Sequence, residues 1–141
     1  MTVYADSSFI VSLYTYEVNS AESRRLMATS PQIWFTPLHS AEWAHAMGQH
    51  VFQRKMSTAQ ALEVDRFLKN DRASGLWLEA GIPDHALEVC ADLARRYGPR
   101  LGMRTLDSLH VACALQLKAD GFWTFDERQA KLAKASGLRI L

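Results

Sequence analysis

The apolar positions of this chain change period several times along its length. The short apolar run Val3-Tyr4-Ala5 ends in Asp6-Ser7-Ser8. This predicts a buried strand followed by a helix start, because Asp and Ser favour N-cap positions. Helical spacing continues from Phe9 to Tyr16 and again from Ser20 to Met27. Ile33-Trp34-Phe35-Thr36 is rich in strand formers, and Pro37 suits the first turn of a helix over Leu38 to Phe52. A further helix is predicted over Thr58 to Asn70.

Leu76 to Glu79 is a third strand candidate, closed by Gly81. Pro83 then opens a helix that is expected to run through Tyr97 and stop at Gly98-Pro99. After a loop from Arg100 to Arg104, Leu106 to Lys118 is again helical, Gly121 to Thr124 reads as a fourth strand, and Glu127 to Ala135 as a last helix ending near Gly137. Arg139-Ile140-Leu141 suits an edge strand. Strands alternating with helices imply βαβ crossovers and a parallel sheet with helices on both faces. The expected fold is α/β, a three-layer α/β/α sandwich with a central parallel sheet of four or five strands.

Length and composition narrow this picture only modestly. At 141 residues the chain suits one domain, 1–141, able to bury a core without staples. Its 48% hydrophobic and 22% charged residues are ordinary for a globular protein. No apolar run approaches the roughly 20 residues needed to span a bilayer. The N-terminus has no basic stretch ahead of an apolar one, so a cytoplasmic location is expected. Cys90 and Cys113 lie in apolar helical patterns and read as buried thiols. A net charge of +1 argues mildly against a protein that coats duplex nucleic acid.

Four acids carry the candidate chemistry. In open parallel sheets ligands bind beyond the carboxyl ends of the strands, near a topological switch point. Asp6 ends the first strand, Asp126 follows the fourth, Asp107 opens the helix leading into the fourth, and Glu42 lies early in the helix after the second. Each also has an ordinary structural reading: Asp6, Asp107 and Asp126 suit N-caps, and Glu42 a solvated helix position. Two carboxylates about 5 Å apart repel by roughly 3 kcal/mol at an effective dielectric near 20. A hard divalent cation relieves that repulsion, since Mg²⁺ takes oxygen ligands. It also polarises a phosphodiester and lowers the pKa of an attacking water.

The local patterns around these acids resemble the PIN-domain family, and in particular VapC-type toxins of bacterial and archaeal toxin–antitoxin pairs. Val3-Tyr4-Ala5-Asp6-Ser7-Ser8 is similar to the family's apolar strand ending in Asp-x-Ser. Glu42 within Pro37-Leu38-His39-Ser40-Ala41-Glu42 is similar to the second family acid. Leu106-Asp107-Ser108-Leu109-His110-Val111-Ala112 resembles the third-acid motif, and Trp123-Thr124-Phe125-Asp126 the final Thr-x-Asp. The resemblance implies a Mg²⁺- or Mn²⁺-dependent endoribonuclease, with Asp6, Glu42, Asp107 and Asp126 as catalytic metal-binding acids and Ser8 and Thr124 supporting the first and last. It also implies an RNA substrate, a homodimer and an inhibitory antitoxin partner. Many relatives follow the last acid with another acid and a Phe, whereas this chain has Glu127-Arg128-Gln129.

Other residues admit two readings. Arg100 and Arg104, with Arg95 and Arg96, form a basic stretch ahead of Asp107 that suits phosphate positioning or a solvated face. His110 lies one turn after Asp107, within reach of the site or satisfied near the core. Trp43, beside Glu42, is the tryptophan to test for substrate contact, the other three lying in or beside strands. His39, Glu42 and His45 share a helix face without forming HExxH. Two alternatives of function stay open: a catalytically inactive PIN-like binding module, and a Mg²⁺-dependent phosphatase with Asp6 as nucleophile. Against the latter, Ser8 stands where that chemistry usually has a second acid.

Overall fold

The computed structural model describes residues 1–141. Five strands run in parallel: β1 (Thr2–Ala5), β2 (Gln32–Phe35), β3 (Trp77–Glu79), β4 (Gly121–Trp123) and β5 (Arg139–Ile140). Their order across the sheet is β3-β2-β1-β4-β5. Seven helices connect them: α1 (Ser7–Tyr14), α2 (Ser20–Met27), α3 (Pro37–Phe52), α4 (Thr58–Ala73), α5 (Ala86–Leu101), α6 (Thr105–Gln116) and α7 (Glu127–Ala135). The fold is the expected α/β/α sandwich.

Alternation along the strands builds two cores. Val3 and Ala5 of β1 face one side with Ile33, Phe35 and Trp123, covered by Phe9 and Ile10 of α1, Trp43 and Met47 of α3, and Leu68 of α4. Tyr4 and Phe122 face the other, covered by Cys90 and Leu93 of α5, the small residues Ala112, Cys113 and Ala114 of α6, and Leu132 of α7. The two-residue period of the strand thus assigns each side chain to one layer. No helix is long and apolar enough to cross a membrane.

Some helix ends depart from expectation: α4 runs on to Ala73 rather than Asn70, α5 begins at Ala86 rather than at Pro83, and its far end differs most. Helix α5 does not stop at Gly98-Pro99 but continues to Leu101 and ends at Gly102, whose φ of 61° is the left-handed C-cap conformation glycine adopts without strain. The Gly102 N–H donates to the Gly98 carbonyl at 2.8 Å. Pro99 sits in the final turn, where one missing N–H is tolerated against the packing of α5 along α6. The segment expected as a loop from Arg100 therefore shrinks to Gly102–Arg104.

Candidate active site

Because β1 and β4 are adjacent and parallel, with Ala5 opposite Trp123, their carboxyl ends coincide. The Asp6 N–H donates to the Trp123 carbonyl at 3.1 Å, so Asp6 and the β4 exit lie side by side. The chain winds outward in opposite directions from this pair, through β2 and β3 on one side and β4 and β5 on the other. A crevice at the carboxyl ends is the geometric consequence.

Asp6 and Asp126 both cap helices. Asp6 Oδ1 accepts the Phe9 N–H at 3.1 Å at the start of α1, and Asp126 Oδ1 accepts the Gln129 N–H at 3.0 Å at the start of α7. Ser8 Oγ also donates to Asp6 Oδ1, at 2.8 Å. Thr124 links the two acids. Its hydroxyl lies 3.0 Å from Asp6 Oδ2 and 2.6 Å from Gln129 Oε1, its proton facing those acceptors, and it accepts the Asp126 N–H at 3.0 Å. Capping thus consumes one oxygen of each carboxylate and fixes the direction of the other.

Asp107 is not a cap. It occupies the third position of α6, whose N-cap is Arg104. Its carboxylate stands in a hollow lined by Gly102, Met103, Arg104, Asp107, Asp126 and Arg128, which brings the third and fourth acids together. Arg104 Nε lies 3.4 Å from Asp107 Oδ2, an exposed pair worth little in stability. The buried Gln129 Nε2 donates to the Asp107 carbonyl at 3.2 Å, so Gln129 ties α6 to the Thr124 hydroxyl.

Glu42 approaches from α3. Its Oε1 accepts the Ser7 hydroxyl at 2.7 Å and is hydrogen-bonded by His110 Nε2. Ser7 directly follows Asp6, so contacts run from Glu42 through Ser7 and Asp6 to Thr124, Asp126 and the hollow beside Asp107. His110 is buried, with Nδ1 2.9 Å from the Tyr4 hydroxyl. His39, also buried, places Nε2 2.7 Å from the Ala5 carbonyl, an acceptor only, so Nε2 carries the proton and Nδ1 accepts the Thr36 N–H at 3.0 Å.

Burial sets the electrostatics. It pushes the Asp6 carboxyl up, against the opposing effects of Ser8, the Phe9 N–H, His110 and Thr124. Burial also pushes Glu42 up, but the hydrogen bond and charge of His110, with Ser7, outweigh it and hold the carboxyl below its ordinary value. Burial and the neighbouring His110 drive His39 down to about 3, so it is neutral, as its hydrogen bonds require. The two acids thus shift in opposite directions, each for a local cause.

Not every candidate arrives there. Trp43 is 4% exposed and donates its indole N–H to Asp65 at 3.0 Å, between α3 and α4, so it offers no face to a substrate. His110 is 2% exposed, which likewise turns it from substrate toward Glu42. Arg100 lies on the last turn of α5 over the Tyr97 ring, 5.8 Å from its centroid, and does not line the hollow. No three carboxylate, imidazole or thiolate groups stand close enough to form a ready cation cage. The donor set is nevertheless all carboxylate oxygen, the chemistry a hard divalent cation takes.

Three residues of this network had little sequence signal. Ser7 looked like a helix-start residue, and Tyr4 like core. Gln129 stands three residues after a capping Asp, a spacing that marks a side chain turned back toward the helix start; here it reaches Thr124 and Asp107 instead.

A family model described as PIN domain matches residues 3–135. Among solved structures the chain is similar to Mycobacterium tuberculosis VapC20, described as a Sarcin-Ricin loop cleaving toxin, with a TM-score of 0.69 and 15% identity over 96% of this chain and 95% of that one. It is similar to VapBC2 from Rickettsia felis bound to a DNA fragment from their promoter, with a TM-score of 0.67 and 15% identity over 100% and 98%. It is also similar to FitAcB from Neisseria gonorrhoeae, with a TM-score of 0.69 and 12% identity over 99% and 96%. No curated protein matches the sequence significantly.

Proposed function

The chain belongs to the PIN-domain family, and from that premise we propose that it is a divalent-cation-dependent endoribonuclease, the toxin of a VapBC-type toxin–antitoxin pair. The observation that carries this reading is the Thr124 bridge: Asp6 and Asp126 are joined through one hydroxyl at the switch point of the sheet, and Asp107 shares a hollow with Asp126. Asp6, Glu42, Asp107 and Asp126 would hold Mg²⁺ or Mn²⁺. A cation bound there polarises the scissile phosphodiester and activates the attacking water.

The chain's own residues orient and screen. Ser8, the Phe9 N–H and Thr124 fix the Asp6 carboxylate, and the Gln129 N–H fixes that of Asp126. Arg104, at the mouth of the hollow, supplies a cation for the substrate's phosphate oxygens, an attraction independent of base sequence. The likeness to VapBC2, captured on DNA, supports an antitoxin partner, and a homodimer completes the reading.

Purified, antitoxin-free protein incubated with a mixed RNA pool in Mg²⁺, Mn²⁺ or EDTA, beside Asp107→Asn, tests it. Cleavage that requires the cation and disappears in the variant is the expected result. Folded protein that cleaves neither tRNA nor rRNA with either cation would instead indicate a binding module.

A further inference from the structure

We propose that His110 is the positioning residue of this site, a buried imidazole that holds Glu42 with one carboxylate oxygen engaged and the other free for a cation. The proposal rests on Glu42 being a cation-binding acid.

The geometry leaves His110 little other role. It is 2% exposed, so neither RNA nor bulk water reaches it. Its Nε2 meets Glu42 Oε1, and a carboxylate only accepts, so the proton of that bond sits on Nε2. Ser7 Oγ lies 3.2 Å from the same nitrogen but donates its proton to Glu42 Oε1 at 2.7 Å. Oε1 thus receives two donors, whereas Oε2 takes no hydrogen bond from the protein. The ring is held from behind by the Tyr4 hydroxyl, 2.9 Å from Nδ1, and Tyr4 is itself fully buried.

The positions of these residues in the chain explain why such a clamp matters. Tyr4 lies two residues before Asp6 on β1, Ser7 directly after it, and His110 one helical turn beyond Asp107 on α6. Glu42, on α3, has no cap or strand end to fix it. His110 therefore couples Glu42, whose carboxylate takes no backbone hydrogen bond, to the elements that place Asp6 and Asp107. Donors behind a metal ligand orient it in this way, and losing one typically weakens metal binding 10- to 100-fold.

The test is Mn²⁺ affinity, read by electron paramagnetic resonance, in His110→Asn and His110→Gln, alone and combined with Glu42→Gln. The Gln amide reaches the position of Nε2 and restores the donor to Glu42, whereas the shorter Asn amide reaches only the Nδ1 side. Thermal unfolding selects the temperature at which every variant is folded. Expected is a Kd raised about tenfold or more in His110→Asn, near the parent value in His110→Gln, and unaffected by His110→Asn once Glu42 is Gln. Equal losses in the two variants, no loss in either, or the same loss with and without the Glu42 carboxylate would overturn the positioning role while leaving the cation site intact. A parent protein that binds no Mn²⁺ would overturn both that role and the cation-site reading.

Discussion

Thr124 places its hydroxyl 3.0 Å from Asp6 Oδ2, tying the exit of β4 to the exit of β1 across the sheet's switch point. Because the same oxygen accepts the Asp126 N–H, one side chain sets the relative position of two acids that are 120 residues apart in sequence.

Thr124→Val keeps the shape and removes the bridge. Asp6 Oδ2 and the Asp126 N–H then lose a partner in a half-buried place, which costs about 1 kcal/mol. A drop in cleavage rate of about 10- to 100-fold is expected, since the acids are no longer held together. Thermal unfolding and single-turnover cleavage measure the two effects. A variant that cleaves like the parent would show that the bridge is structural only.

Asp126 separates capping from chemistry. Asn caps helices as well as Asp does, so Asp126→Asn should stay within about 0.5 kcal/mol of the parent, whereas Asp126→Ala should lose roughly 1 kcal/mol. Both variants should lose cleavage about equally, by 100-fold or more. If Asp126→Asn keeps its activity, the carboxylate serves α7 alone.

Asp6 bears on stability with a definite sign. Its carboxyl is raised by burial, so the folded protein holds that proton more tightly than the unfolded chain. Ionisation therefore costs stability as pH rises through and above the ordinary carboxylate range. Asp6→Asn keeps a capping oxygen and removes the charge. Cation-free Asp6→Asn should melt above the parent at pH 7, the gap closing as pH falls to about 3, while cleavage is abolished. A variant melting below the parent at pH 7 would contradict this.

His39 acts in the opposite direction. Its pKa falls from the ordinary 6.5 to about 3, because burial and His110 disfavour the charged ring. The stability this contributes is complete above pH 6.5 and is lost as pH falls from there towards 3, at up to about 1.4 kcal/mol per unit. His39→Gln keeps a donor for the Ala5 carbonyl and cannot titrate. Its unfolding free energy should be lower at pH 7 but fall less steeply between pH 6.5 and 4. Parallel profiles for the two proteins would remove His39 as the source of acid sensitivity.

The fold was largely legible because β1, β2 and β4 alternate their side chains between two cores and turn residues punctuate them. Asp6 and Asp126 were visible because strand ends and helix caps carry short, local signals. Helix α5 was misjudged at its end because packing along α6 overrides the local weakness of Gly98-Pro99, a tertiary effect with no sequence period. Trp43 neighbours Glu42 in sequence, which makes it a candidate for substrate contact, yet one helical step of about 100° turns it into the core. Ser7, Gln129 and the Tyr4–His110 pair stayed hidden because their roles are contacts over 35 to 106 residues, or a side chain turned away from its own cap.

The most direct measurement is anomalous diffraction from Mn²⁺ soaked into crystals of the protein. A peak bounded by the Asp6, Asp107 and Asp126 carboxylates, with Glu42 beside it, is the predicted result. A peak elsewhere on the chain, or none at Mn²⁺ concentrations that support RNA cleavage, would contradict an acidic cation site at the carboxyl edge of the sheet.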